Sequence, residues 1–178
     1  TTETYLAVRL EVDNWRWAGV PFYLRSGKRL GKRATEVAIA FRRPPYSLFR
    51  SVGSAPIDAN VLRLRIQPDE GVSLSFGTKA PGQAFQIQPV RMDFNYLTAF
   101  GADPPDAYER LLLDCNLGDM TLFAREDEVE LAWERVDAIG RAWAEQGQPP
   151  LSPYPAGAWG PREAEQLPER DGKKWYRV

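Results

Sequence analysis

VLRLRIQPDEGVSLSF, residues 61–76, holds two runs of alternating character around a short break. Leu62, Leu64 and Ile66 alternate with Arg63, Arg65 and Gln67; Val72, Leu74 and Phe76 then alternate with Ser73 and Ser75. A period of two sends successive side chains to opposite faces of a strand, so each run has one apolar and one polar face. Pro68–Gly71 is too short for a helical crossover, so the runs predict antiparallel neighbours.

The pattern spreads outward from there. Leu6, Val8, Leu10 and Val12 alternate with Ala7, Arg9, Glu11 and Asp13, and the period returns at Val37, Ile39, Phe41 and at Val90, Met92, Phe94, Tyr96. Turn-rich breaks at Gly19–Pro21, Gly27–Gly31, Pro68–Gly71 and Thr78–Gly82 separate the runs. Pro44–Asn60, with three prolines and three serines, reads as a long mobile connection. After about residue 103 the period becomes helical. One helix is predicted from DPPDAYERLLLDCNL, capped by Asp103 or Asp106, with Tyr108, Leu111, Leu112 and Cys115 on one face. A second is predicted over Glu126–Gln146, where Val129, Trp133, Val136, Gly140 and Trp143 share a stripe and Glu126, Asp127 and Glu128 suit the N-terminal dipole. Pro161 starts a short third helix expected to close before Pro168, and Tyr154 and Trp159 are expected to pack the proline-rich stretch 148–161. Strands first and helices afterwards predict an α+β fold: a large, predominantly antiparallel sheet followed by helices packed on one side, in a single domain over 1–178.

The chemistry is bounded by what is missing. The 178 residues contain no histidine and one cysteine, Cys115, which excludes His-dependent triads, the usual zinc spacings and an internal disulfide. No metal site is expected, and no GxGxxG, P-loop or G-x-S-x-G occurs. A formal charge of −1, from 23 basic and 24 acidic residues, speaks against nucleic acid or membrane as partner. No apolar run spans a bilayer and the first residues lack a signal-peptide pattern, so a cytoplasmic protein is expected.

Any anion site is therefore local. Arg25, Lys28, Arg29, Lys32 and Arg33 place five cations within nine residues, with Gly27 and Gly31 expected to let the backbone approach a ligand, as a phosphosugar would need. The bland alternative is a solvated hairpin tip. Trp15, Trp17, Trp133 and Trp143 read as core or sheet-packing residues, and the carboxylates of DEVE and PERD as structural.

DNWRWAGVPFYLRSGKRL, RLRIQPDEGV, PDAYERLLLDCNLGD and WGPREA occur in the order found in glucose-6-phosphate dehydrogenases, and the chain resembles the C-terminal part of that family from Tyr5 almost to Trp175. The resemblance implies glucose 6-phosphate as substrate, with Lys28, Arg33 and Gln67 reaching the sugar phosphate. It also implies a homodimer formed through the sheet. It implies NADP as coenzyme, bound by an N-terminal domain that also partners this part, with the catalytic histidine lying outside these residues. The chain alone is then expected to be inactive and to bind no cofactor. For a second, structural NADP known in some animal members, Arg25, Arg65 and Trp175 match. Ala34, Ser75 and Trp159 stand where cations are needed and Asp171 where an aromatic is, so that site is expected to be absent or very weak. The alternative is a non-catalytic binding or self-association module whose basic loop meets an acidic partner or RNA.

Overall fold

The computed structural model describes residues 3–44, 58–82, 87–101, 107–147 and 151–176. Most of the expected Pro44–Asn60 connection, the two candidate caps Asp103 and Asp106, and the start of the proline-rich stretch lie outside the described residues. Two compact units are present, one of residues 1–102 with 154–178 and one of residues 103–153.

The first unit carries six strands: β1 Tyr5–Leu10, β2 Phe22–Gly27, β3 Thr35–Ala40, β4 Val61–Gln67, β5 Gly71–Lys79 and β6 Ile87–Asn95. Every pairing is antiparallel, as the alternation predicts. The strands divide between two sheets, β1-β2 and β3-β4-β5-β6. The division falls at residues 28–34, whose backbone groups turn to residues 157–158: Gly157 N–H donates to the Arg29 carbonyl (2.9 Å) and Gly31 N–H to that of Ala158 (3.1 Å). Those groups are thereby withdrawn from any ladder.

Register sorts the four-stranded sheet into two faces. Arg63, Ser73 and Asp93 lie abreast on one, while Leu62, Leu74 and Met92 lie abreast on the other with Ile39. Pro89, which has no N–H to give, sits in the edge strand β6. Thr78 and Lys79, expected in a break, continue β5. Tyr96, expected at a strand end, instead opens α1, Tyr96–Phe100. Asn95 is the reason: its Oδ1 accepts from Thr98 N (3.1 Å) and from Thr98 Oγ1 (3.0 Å), starting a turn that Gly101 closes in the left-handed region.

α2 (Ala107–Leu117) and α3 (Glu126–Glu145) form the second unit. α3 matches its expected bounds to one residue. Arg125 N–H donates to Glu128 Oε2 (3.2 Å) at its start, and Gly147, with φ 72°, follows its end. In α2 the buried carboxylate of Asp114 is held by Arg110 one turn back (2.9 Å). α4 spans Arg162–Glu169 and meets β1, while α1 meets β6. Pro168, expected beyond α4, lies inside it and is almost fully buried. Proline cannot donate to the carbonyl four residues back, yet Ala164 O is not orphaned: the Trp175 indole N–H donates to it at 2.8 Å. The cost of the proline is offset from outside the helix.

Two expected packing tryptophans are exposed. Trp15 is fully exposed because Asn14 Oδ1 accepts from the backbone N–H groups of Arg16 (3.1 Å) and Trp17 (2.8 Å), which fixes a tight turn with Trp15 at its tip. Trp133 is also mostly exposed. Trp17 packs edge-on against Phe22 as expected, and Trp143 is half-buried. Among the described residues, no helix is long and apolar enough to cross a membrane.

Candidate functional site

The basic loop is built on one face of the β1-β2 ladder, where Tyr5, Ala7 and Arg9 lie opposite Gly27, Arg25 and Tyr23. Residues 154–176 lie across this face like a strap. Arg25 does not reach outward from it. Its guanidinium sits 5.1 Å from the Trp159 ring and 4.5 Å from that of Trp175, and pairs with Glu165 at 3.3 Å. Its side chain is only 10% exposed, so these contacts act with little competing water and each is worth about 0.5–2 kcal/mol. Arg25 thus leaves the set of five cations.

The two glycines also serve the chain itself. A Cβ on Gly27 would stand 2.5 Å from Tyr5 Cδ2, and one on Gly31 would stand 2.8 Å from the Gly157 carbonyl oxygen. The close approach expected toward a ligand is an approach of the chain to its own side chains and backbone.

What remains is an exposed cationic edge on a pinned backbone. Lys28 N–H donates to the Thr4 carbonyl (2.8 Å), extending the ladder past β2, and Arg29 follows in the left-handed region at φ 53°. Lys28, Arg29, Lys32 and Arg33 are all exposed, and among the described residues no carboxylate pairs with any of them. Gln67, the last residue of β4, is exposed and lies opposite Thr35, two residues after Arg33. The register thus brings Arg33 and Gln67 to the same end of the β3-β4 ladder. Lys28 stands at the end of β2, and no ladder joins it to them.

Lys32 also borders a cleft of about 370 Å³ on the polar face of the larger sheet, with Glu36, Arg63, Arg65, Asp69, Arg91, Asp93 and Asn95. Most of its charges are already matched. Arg65 makes a two-pronged pair with Asp93 (2.7 and 3.2 Å) and also donates to the Asp69 and Phe94 carbonyls (3.1 Å each), while Arg63 pairs with Glu36 at 3.3 Å. Beneath them the buried Ser73 hydroxyl has no partner among the described residues. The expected structural carboxylates behave as such: Asp127 binds Arg125 at the start of α3, and Asp171 accepts from Arg9 Nε (2.7 Å) and from the Tyr23 hydroxyl.

Residues 1–176 match the family model described as glucose-6-phosphate dehydrogenase, C-terminal domain. The chain belongs to this family. It is 51% identical over 177 residues to glucose-6-phosphate 1-dehydrogenase 2 of Mycobacterium tuberculosis, covering 99% of this chain and 34% of that protein. It is 48% identical over 176 residues to the glucose-6-phosphate 1-dehydrogenase of Rhizobium meliloti, covering 98% and 35%. Among solved structures, the glucose-6-phosphate 1-dehydrogenase of Mycobacterium avium matches with a TM-score of 0.81 at 36% identity, over 100% of this chain and 36% of that one. A glucose-6-phosphate dehydrogenase in complex with its substrate glucose-6-phosphate matches with a TM-score of 0.84 at 31% identity, over 98% and 35%. The chain therefore spans about a third of the length of these dehydrogenases.

Three features of the glucose-6-phosphate dehydrogenase domain escaped the sequence reading: the tryptophan cage around Arg25, the Arg9–Tyr23–Asp171 clamp, and the anchoring of the basic loop by Tyr154. Each joins residues more than a hundred positions apart. Only the aromatic content of residues 154–176 hinted at them.

Proposed function

We propose that residues 1–178 are the C-terminal substrate and dimerisation domain of an NADP-dependent glucose-6-phosphate dehydrogenase, cytoplasmic, acting with its own N-terminal domain. That enzyme oxidises glucose 6-phosphate to 6-phosphogluconolactone, the first step of the pentose phosphate pathway. Lys28 and Arg33 supply charge-assisted hydrogen bonds to the sugar phosphate, and the Gln67 amide binds beside them. The observation that carries this reading is the pairing state of the cations. Arg25 and Arg65 are held by acidic partners, whereas among the described residues Lys28 and Arg33, like Arg29 and Lys32, have no acidic partner, and the Lys28 backbone is pinned to Thr4. NADP supplies the hydride acceptor when held by the N-terminal part. The residues here do not fit a second dinucleotide: Arg25 and Arg65 are already engaged, and Ala34 and Ser75 bring no charge. The relatives' names give the alternative, an RNA- or acid-binding module, no support.

The test is Lys28→Ala in the full-length enzyme. Losing a charge-assisted contact of about 1.5–3 kcal/mol predicts a drop of about 10- to 150-fold in kcat/KM for glucose 6-phosphate. An exposed lysine leaves melting almost unmoved. A kcat/KM unchanged within about twofold, against the factor of 10 expected at the least, returns the loop to a solvated hairpin tip.

A further inference from the structure

Thr4, Lys28 and Tyr154 form a small knot of backbone and hydroxyl. The Tyr154 hydroxyl lies 2.8 Å from the Lys28 carbonyl and 3.0 Å from the Thr4 carbonyl, sharing one proton between two acceptors. Lys28 N–H closes the knot on Thr4 O at 2.8 Å. The Tyr154 ring stands edge-on to Tyr5 at 5.3 Å, and the Tyr5 ring occupies the room that Gly27 and Gly160 leave open. Three residues further along the strap, Gly157 N–H holds the Arg29 carbonyl, and Gly31 N–H in turn donates to Ala158 O. The loop bearing Lys28 is thus gripped at Lys28, Arg29 and Gly31 by residues 154–158.

We propose that Tyr154 is a positioning residue for substrate binding: its hydroxyl fixes the Lys28 backbone, and so the direction in which the Lys28 ammonium meets the sugar phosphate. This rests on the reading of Lys28 as a phosphate contact. An ammonium on a four-carbon stem loses rotational freedom when it binds. A backbone locked beforehand leaves only those side-chain torsions to be ordered on binding, and the saving in loop ordering appears in substrate affinity. Tyr154 touches no substrate; it acts through Lys28.

The test is a double-mutant cycle in the full-length enzyme. Tyr154→Phe keeps the ring against Tyr5 and deletes only the hydroxyl. It is expected to raise KM for glucose 6-phosphate about 3- to 10-fold, with kcat and the KM for coenzyme unchanged. In a Lys28→Ala background the same change is expected to have no effect, since the residue it positions is gone. Gly31→Ala, which drives a methyl group against the Gly157 carbonyl, is expected to raise the same KM through the same loop. An unchanged KM in Tyr154→Phe, while Lys28→Ala raises it, overturns the positioning role alone. An unchanged KM in Lys28→Ala removes the underlying reading and the positioning role with it. A fall in melting temperature and kcat without a KM change marks Tyr154 as merely structural and also overturns the proposal.

Discussion

Asp171 accepts hydrogen bonds from the Tyr23 hydroxyl and from Arg9, and together these donors hold its carboxyl below the ordinary 3.8. A carboxylate whose folded pKa is depressed contributes stability that is complete above its unfolded pKa and is lost as pH falls through the folded value. The clamp is therefore intact at neutral pH and releases only below about pH 4. Asp171→Asn is expected to lower the melting temperature at pH 7, and the gap between variant and parent should close as pH is taken down toward 2. Melting curves across that range check it, and a gap independent of pH would show that the charge is irrelevant. The structural role of this carboxylate was legible in the sequence, but its partners were not, because Arg9 and Tyr23 lie 162 and 148 positions away. The exposed cations were legible because charge density is local. The glycines beside them were legible only in part: they do permit close approach, but what approaches is the chain's own Tyr5 and Gly157, which lie far away in sequence.

Elements governed by short-range rules matched expectation best. The alternation of residues 61–76 gave β4 and β5 because both faces of each strand are written in adjacent residues. The stripe of α3 fixed its bounds for the same reason. α1 was missed because five residues show no helical period, and its signal was one capping asparagine and one glycine. α4 ran past its expected stop because the donor replacing Pro168 comes from Trp175. Trp175→Phe should test that substitution of partners. It leaves the Ala164 carbonyl without its donor and removes the Trp175 indole face from Arg25, so a loss of about 1–3 kcal/mol is expected in chemical denaturation. A loss below about 0.5 kcal/mol would mean that neither contact matters to stability.

For the whole molecule, the apolar face of the larger sheet stands out, since Val37, Ile39, Val90, Met92 and Phe94 all keep more than a third of their surface in contact with water. Faces of this kind mark interaction sites, and a second copy of the chain is the occupant proposed for this one. Met92→Lys, which places a charge at the most exposed of these positions, is expected to shift the full-length enzyme from dimer to monomer in sedimentation. An unchanged mass would assign the face to some other cover. The 178 residues alone are expected to show no reduction of NADP with glucose 6-phosphate and no saturable heat with NADP in calorimetry at micromolar protein. Clear turnover or stoichiometric binding would contradict the fragment reading.

The strap also sets an order of events. Tyr5 and Trp159 are 154 residues apart, and Arg9 and Asp171 are 162 apart, so the contacts that finish the basic loop close nearly the longest loop the chain can make. Closures of that length come late in folding, after local hairpins have formed. On the ribosome the delay is absolute, because β1 and β2 are synthesised some 150 residues before the segment that completes them, roughly ten seconds or more at ordinary elongation rates. Lys28 is among the first residues of this domain to be made and among the last to be set in place.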